Sequence, residues 1–394
     1  MPWKECCVRE ERFRFIEDWR SDDWTISELC RHYEVSRATG YKWISRYQEA
    51  GLDGLRDQSR APHQRPNGLT EEMQDVILGV KAKHPTWGAP KIRGQIMNHR
   101  GDLTLPAEST IGALLKRSGL TADRRNKRML SRPSTEPLAH ACSANEVWSA
   151  DFKGCFHTAD RERIDPLTIT DNYSRYLFRC QSLKAADTAH SKPVFEAAFR
   201  EFGLPRRIRT DNGAPFGSNG ETGLTALSAW WIRLGIVPER IQAGKPQQNG
   251  RHERMHRTLK QETASPPAAN RRRQQERFDI FRKEYNQERP HQALGQKPPA
   301  SFYTCSPRQY PERIRDAEYP AGWPVRRLTK GGQLTWKAGY VFVSHAMAGD
   351  LVGLEPLDSG IWRVWFYHYE AGILDEATSR LRRPGAPYTG REIR

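Results

Sequence analysis

No stretch of this 394-residue chain approaches the roughly 20 consecutive apolar residues that a membrane-spanning helix needs, and Met1 to Val8 carries no hydrophobic signal segment. Membrane and secreted classes are set aside, and a cytoplasmic location is expected. Cysteine provides no framework. The seven cysteines (Cys6, Cys7, Cys30, Cys142, Cys155, Cys180 and Cys305) are odd in number, scattered, and never in a C-x-x-C spacing. That excludes a disulfide scaffold and a zinc ribbon, and leaves reduced thiols. Acidic residues are the scarcer charge: 47 against 63 lysines and arginines leave +16, with a pI near 9.7. Such a surplus makes a polyanion, nucleic acid first, the expected partner. Apolar residues (37%) and aromatics (10%, with 12 tryptophans) are plentiful enough to exclude wholesale disorder. One core rarely organises this length, so about two to four domains are expected.

From Glu5 to Tyr47 the pattern is helical, and Thr25 to Ile44 breaks into two short helices around Glu34-Val35-Ser36, a helix-turn-helix spacing. Ser36 suits an N-cap, Ile44 and Tyr47 continue the apolar stripe, and Arg37, Thr39, Lys42 and Arg46 remain for DNA. After a linker beginning at Gly51, a second helical set (Glu71 to Lys83 headed by Thr70, Ala89 to Asn98, Ala107 to Ser118) gives a second such module. Arg124, Arg125, Lys127, Arg128 and Arg132 then cluster in a basic linker able to lie along phosphates.

From Val147 the texture alternates between strand and helix. Trp148 to Phe152, Leu167 to Asp171, Tyr176 to Leu183 and Arg206 to Thr210 are expected strands, Ile236 to Ile241 a short extended piece. Asp187 to Phe202, Thr222 to Leu234, Asn249 to Thr263 and Arg271 to Gln287 are expected helices. Three strands before the first helix point to a mixed α/β sheet and away from a doubly wound nucleotide fold. Beyond about Trp323 the pattern is all-β, with strands around Tyr340 to Val343, Leu351 to Leu357 and Trp362 to Tyr367, fitting a small barrel. Trp230, Trp231, Trp336, Trp362 and Trp365 are read as core residues and not as stacking platforms.

Three carboxylates stand out. Asp151 ends the first strand, Asp211 follows the fourth, and Glu253 lies in Lys245-Pro-Gln-Gln-Asn-Gly-Arg-His-Glu-Arg254. Each has a plain alternative: a strand terminus, an Asp211-Asn212-Gly213 hairpin turn, an i, i+4 pair with Arg257. Together they read differently. A sheet can bring both aspartates to one edge, and Glu253 lies about 200 to 240° around its helix from Met255 and Leu259, away from the packing. Three carboxylates in a basic protein form a hard-oxygen site for magnesium or manganese, suited to phosphodiester displacement.

The contexts of Asp151, Asp211 and Glu253, with Thr210-Asp-Asn-Gly213, Lys245-Pro-Gln-Gln-Asn-Gly-Arg-His-Glu-Arg254 and Tyr285-Asn-Gln-Glu-Arg-Pro-His291, resemble the DDE transposases of bacterial insertion sequences. The core of those enzymes is similar to retroviral integrases and ribonuclease H. The resemblance runs from the first helix-turn-helix to about Phe302. It implies a multidomain α+β protein: helix-turn-helix domains over 1–60 and 61–120, a basic linker over 121–144, a ribonuclease-H-like mixed α/β catalytic core over 145–305, and a small SH3-like β-barrel over 320–385. It further implies two Mg2+ or Mn2+ ions held by the three acids, cutting of transposon ends and their joining to target DNA, and a homo-oligomer of at least two protomers at the nucleoid. The 42 positions from Asp211 to Glu253 exceed the retroviral spacing, so an insertion is expected near Gly217 to Thr225. The retroviral His-His-Cys-Cys zinc module is absent, so end recognition falls to the helical modules.

Lys245, Asn249, Arg251, Arg254, Arg257 and Lys260 are the expected DNA contacts around Glu253, with His256 on the same polar face. One motif competes. His252-Glu253-Arg254-Met255-His256 matches the H-E-x-x-H of zinc peptidases, in which both histidines would ligate zinc. Arg251, Arg254 and Arg257 crowd +3 around any such ion, and in the transposase reading His252 is dispensable. A catalytically inactive, transposase-derived DNA-binding regulator is the other alternative.

Overall fold

A computed structural model describes residues 8–57, 69–100, 104–121, 138, 140–242, 248, 250–337 and 339–383. The chain forms two compact units, Met1–Leu69 and Thr70–Arg394.

The first unit holds α1 (Val8–Arg20), α2 (Ile26–His32) and α3 (Arg37–Ala50). Thr25 caps α2 in a capping box with Glu28, and the Ser36 hydroxyl accepts from Thr39 N at 3.2 Å to start α3. Phe15, Ile16, Leu29, Val35, Trp43, Ile44 and Leu55 close the core. Gly40 makes the crossing of the helices close, since a Cβ there would stand 2.5 Å from Cys30 Sγ and 3.1 Å from the Phe15 ring.

The second unit opens with α4 (Glu71–Lys83), α5 (Ala89–His99) and α6 (Glu108–Arg117). The Thr70 hydroxyl caps α4 by accepting from Met73 N, and Pro90 sits in the first turn of α5, where it costs no helical hydrogen bond.

Next come β1 (Val147–Phe152), β2 (Phe156–His157), β3 (Arg163–Asp171), β4 (Leu177–Leu183), α7 (Thr188–Phe202), β5 (Arg207–Thr210), α8 (Ala226–Arg233), β6 (Val237–Arg240), α9 (Gly250–Thr263) and α10 (Arg271–Gln287). The strands form one mixed sheet in the order β2-β3-β1-β5-β6, with β4 on β3. β3 runs antiparallel to β1 and β4, while β1, β5 and β6 are parallel. Strand alternation sorts the residues. Trp148, Ala150, Leu167 and Ile169 pack with α7 and α8 through Phe195, Phe199, Trp230 and Trp231. On the opposite face, Met255 and Leu259 of α9 pack with Phe278, Phe281 and Tyr285 of α10. The sheet is thus the middle of three layers. The helix expected from Thr222 begins at Ala226 instead, because Thr225 caps it.

The final segment holds β7 (Val325–Arg327), β8 (Gln333–Trp336), β9 (Gly339–Phe342), β10 (Leu351–Asp358), β11 (Ile361–Phe366), β12 (Tyr369–Asp375) and β13 (Arg380–Arg382). A closed barrel was expected here. Instead there is a five-stranded antiparallel sheet, β13-β12-β11-β10-β7, and a separate β8–β9 hairpin. The reason lies in α8, whose Ala229 and Ile232, with Leu224, pack into the core of this sheet while Trp230 and Trp231 face the mixed one. Arg233 fastens the join by an ion pair to Asp350 and a hydrogen bond to Ala346 O. In the segment 217–225, where an insertion was expected, the Thr222 carbonyl accepts from the Tyr369 hydroxyl at 2.8 Å. Trp230 and Trp231 are buried as expected; Trp336 and Trp362 are half-buried against this core and both donate to Glu376, whereas Trp365 is half-buried outside it and donates to Glu355. Among the described residues, no helix is long and apolar enough to cross a membrane.

Candidate active site

β1 and β5 are parallel neighbours with Ser149 beside Arg209, so two residues further along lie Asp151 and Asp211, at one edge of the sheet. Because β5 pairs in parallel with β6, Asp211-Asn212-Gly213 is not a hairpin turn. It forms a tight loop in which Gly213 N donates to Asp211 Oδ1 at 3.2 Å and Asn212 Nδ2 donates to Ile241 O at 2.8 Å. Glu253 occupies the first turn of α9, exposed, while Met255 and Leu259 are buried. Electrostatics ties the three acids together. Burial pushes the Asp151 carboxyl up to about 7, assisted by the charges of Asp211 and Glu253 and opposed by a backbone hydrogen bond and Lys153. Burial also raises Asp211, against the Gly213 hydrogen bond. The carboxyl is raised first by burial and then by two acids close by, and the three carboxylates offer oxygen donors that fit a hard divalent cation.

Beneath this edge is a layer that the sequence reading misplaced. His256 was expected on the DNA-facing side of α9, yet it is buried together with His252. The signal was present in the spacing: 252, 255, 256, 259 and 263 form one stripe of an α-helix, and that whole stripe faces the sheet. Both Nε2 atoms converge on the Thr168 hydroxyl of β3, at 2.6 Å from His252 and 2.7 Å from His256. The same hydroxyl lies 3.1 Å from Asp151 O, and Thr170 Oγ1 lies 3.3 Å from His252 Nδ1. Burial lowers His252 to about 3; burial and then the charges of His252 and Lys153 lower His256 to about 2. Asp151, His252 and His256 offer ligand atoms within 4.8 Å of one another, the minimum a zinc site needs. Thr168 Oγ1 occupies the point on which both Nε2 atoms converge, so in this geometry the H-E-x-x-H pair clamps a hydroxyl.

Of the expected DNA contacts, Arg37 and Lys42 are exposed on α3. Thr39 is half-buried with its hydroxyl 2.9 Å from Ser36 Oγ, and the Arg46 guanidinium lies 5.0 Å from the Trp43 ring centroid. Arg251, Arg254, Arg257 and Lys260 are exposed on α9, Arg251 donating to Asn172 O at 3.3 Å. Arg124, Arg125, Lys127, Arg128, Arg132, Lys245 and Asn249 lie outside the described residues. Two further residues adjoin these expected contacts. Tyr41 projects from α3 with 56% of its surface exposed, on the helix that carries Arg37 and Lys42. Arg175 lies close enough to Arg251 and Arg254 that burial and their charges lower it to about 10. Tyr41 could have been found on the solvent side of the helix; no sequence signal places Arg175 beside α9.

The phrase Tyr285-Asn-Gln-Glu-Arg-Pro-His291 holds parts together. Asn286 exchanges hydrogen bonds with Leu177 N and O on β4, Glu288 pairs with Lys83 of α4, and Arg289 pairs with Glu262 of α9. Glu262 also accepts from Thr86, and α5 lies so close that a Cβ on Gly94 would stand 3.1 Å from Pro290 Cβ. The second helical module thus docks on this phrase.

A helix-turn-helix unit and a mixed α/β domain with carboxylates at its sheet edge define a DNA-binding protein with an integrase-type core. The Integrase core domain family matches residues 142–246 and 234–299, the Helix-turn-helix domain family residues 11–63, and the Homeodomain-like domain family residues 39–115. The chain is 31% identical over 291 residues to the insertion element IS476 uncharacterized 39.2 kDa protein of Xanthomonas euvesicatoria, across 73% of this chain and 81% of that protein. It is 30% identical over 193 residues to the insertion element IS407 uncharacterized 31.7 kDa protein of Burkholderia multivorans, across 48% of this chain and 66%, just under two thirds, of that protein. The chain belongs to the insertion-element transposases with an integrase-like core. Among solved structures, the HTLV-2 integrase catalytic core domain in complex with magnesium aligns at 15% identity and a TM-score of 0.34, covering 42% of this chain and all of that one.

Proposed function

We propose that the protein is a DDE transposase that binds the terminal inverted repeats of its element, cuts at their ends and joins the freed 3′-hydroxyls to target DNA. The carboxylate cluster carries this reading: parallel pairing of β1 and β5 sets Asp151 and Asp211 at one end of the sheet, and Glu253 in the first turn of α9 is close enough for its charge to act on the Asp151 carboxyl. Asp151, Asp211 and Glu253 would hold two Mg2+ or Mn2+ ions. Bound there, such a pair supplies Lewis-acid activation of the attacking oxygen and charge stabilisation of the leaving one. The chain itself positions DNA. Arg37 and Lys42 would contact the repeat, while Arg251, Arg254, Arg257 and Lys260 would neutralise phosphates beside Glu253.

In the first step the oxygen of water bonds to phosphorus and the P–O3′ bond at the element end breaks. Of the two water protons, one is taken up by the departing 3′-oxygen to give a 3′-hydroxyl, and the other is lost to solvent as the new 5′-phosphate on the flanking strand ionises. In the second step the freed 3′-oxygen bonds to a target phosphorus, its proton is lost, and the displaced target 3′-oxygen takes one up. One phosphodiester bond is exchanged for another, so neither a nucleotide cofactor nor a covalent enzyme intermediate is required. Joining two ends calls for at least two protomers on DNA, acting in the bacterial cytoplasm at the nucleoid.

The test uses full-length protein and duplexes carrying the inverted repeats that flank its gene. After chelation, Mg2+ or Mn2+ added alone should restore strand cleavage. Restoration by Zn2+ and by neither of these would contradict the carboxylate site and favour a zinc enzyme.

A further inference from the structure

The H-E-x-x-H histidines have no role in the transfer chemistry, yet they are buried against an acidic residue at its centre. His252 and His256 are 3% and 6% exposed, and the Nδ1 atom of His256 lies 3.8 Å from Asp151 Oδ2. Their other contacts converge on Thr168, which β3 places opposite Asp151 in the sheet register.

Hydrogen-bond valence restricts what this cluster can do. A threonine hydroxyl has one hydrogen to donate, and a neutral imidazole carries a hydrogen on one nitrogen only. Asp151 O can only accept. If Thr168 donates to it, both histidines must donate from Nε2, and His256 then turns a bare Nδ1 lone pair toward the Asp151 carboxyl. If Thr168 donates to His256 Nε2 instead, the hydrogen of His256 sits on Nδ1, the nitrogen 3.8 Å from Asp151 Oδ2, a separation longer than a hydrogen bond. In that arrangement His252 donates from Nε2 to Thr168, and its Nδ1 accepts from the Thr170 hydroxyl. If Thr168 donates to His252 Nε2, His256 again donates from Nε2 and turns a bare Nδ1 toward Asp151, so of the three arrangements only donation to His256 places a donor nearest an ionised Asp151.

We propose that His252, Thr168 and His256 form a positioning chain for Asp151: Thr168 fixes the Nδ1–H tautomer of His256, and the dipole of that N–H, 3.8 Å from Asp151 Oδ2, orients the Asp151 carboxylate for cation binding. This deepens the transposase reading and rests on it. His256 is the contact to Asp151, and Thr168 and His252 act through it. Groups that orient a ligand in this way change metal affinity by about 10- to 100-fold when removed.

The test uses full-length protein with selectively 15N-labelled histidine and no metal. At alkaline pH, His256 in the parent should show the shifts of an Nδ1–H imidazole, and Thr168→Val, which keeps the shape and loses the hydroxyl, should abolish that signature. Direct titration with Mn2+ should show about tenfold weaker binding for Thr168→Val and for His256→Gln, whose amide takes the place of Nε2. Thr168→Ser, which keeps the hydroxyl, and His256→Asn, which keeps a donor at the Nδ1 position, should stay near the parent. If Thr168→Val fails to fold, the parent tautomer and the Asn-against-Gln comparison still decide. An Nε2–H tautomer in the metal-free parent, or parent-like Mn2+ binding by His256→Gln, overturns the chain. If Asp151→Asn retains strand transfer, it is the transposase site assignment that fails, whatever the tautomer proves to be.

Discussion

Replacing Asp151 by Asn should stabilise the metal-free protein at alkaline pH while removing its activity. The carboxyl is only 18% exposed, and burial, then Asp211 and Glu253, push it up to about 7 from an ordinary 3.8. A group with a raised folded pKa keeps its proton in the folded state at pH values where the unfolded chain has lost it. Stability therefore falls as pH rises from about 4 to about 7, and the whole deficit persists above that range. At about 1.4 kcal/mol for each pH unit between the two values, the deficit is at most about 4 kcal/mol. Residual water and the new amide's own hydrogen-bonding needs reduce what Asn recovers, so a gain of about 1–2 kcal/mol and a few degrees in Tm is expected. The assay is thermal unfolding of the full chain in excess chelator at about pH 5 and about pH 8.5, parent against variant. The variant should gain on the parent as pH rises, and Mg2+ should then stabilise the parent far more than Asp151→Asn. A gap that does not change with pH, or a variant less stable than the parent at the higher pH, would refute the electrostatic account of the site.

Other expectations follow from particular contacts. Gly94→Val should destabilise the protein by roughly 1–3 kcal/mol, because its Cβ would stand 2.9 Å from Gln296 Cβ and must push the docked module away; an unchanged Tm would contradict that docking. Ser36→Ala should cost about 1 kcal/mol in the first unit and weaken repeat binding, with Ser36→Asp close to the parent in both, since only the cap is tested. Arg37→Ala and Lys42→Ala should each lower the salt dependence of repeat binding by about one unit of slope if they contact phosphates, and leave it unchanged if they do not.

The helical parts were legible because their boundaries are written in local chemistry: Thr70 and Ser36 cap their helices by side chain, and Pro90 lies just inside α5. The two aspartates were legible because each closes a strand, and parallel pairing of those strands follows once a helix separates them. Short strands such as β2, β7 and β13 were not, because two or three residues carry no period. The two-sided role of α8 escaped for another reason: Ala229 and Ile232 read as ordinary apolar residues until a second sheet is seen to cover them. His256 was assigned by polarity to the DNA-facing side when its spacing placed it, with His252, in the apolar stripe. Polarity says what a side chain needs, and the three hydroxyl contacts from Thr168 and Thr170 supply it below the surface.

The central claim is that Asp151, Asp211 and Glu253 act as one cation-binding unit in phosphoryl transfer. Its most direct test is the joining of a pre-cut repeat end to a plasmid in Mg2+ by Asp151→Asn, Asp211→Asn and Glu253→Gln, each first checked for repeat binding and for a folded-state spectrum. All three should bind the repeat as the parent does and join it at background level, since the DNA-binding unit is untouched while the metals lose a ligand. Strand transfer near the parent level by Asp151→Asn or Asp211→Asn would contradict the claim.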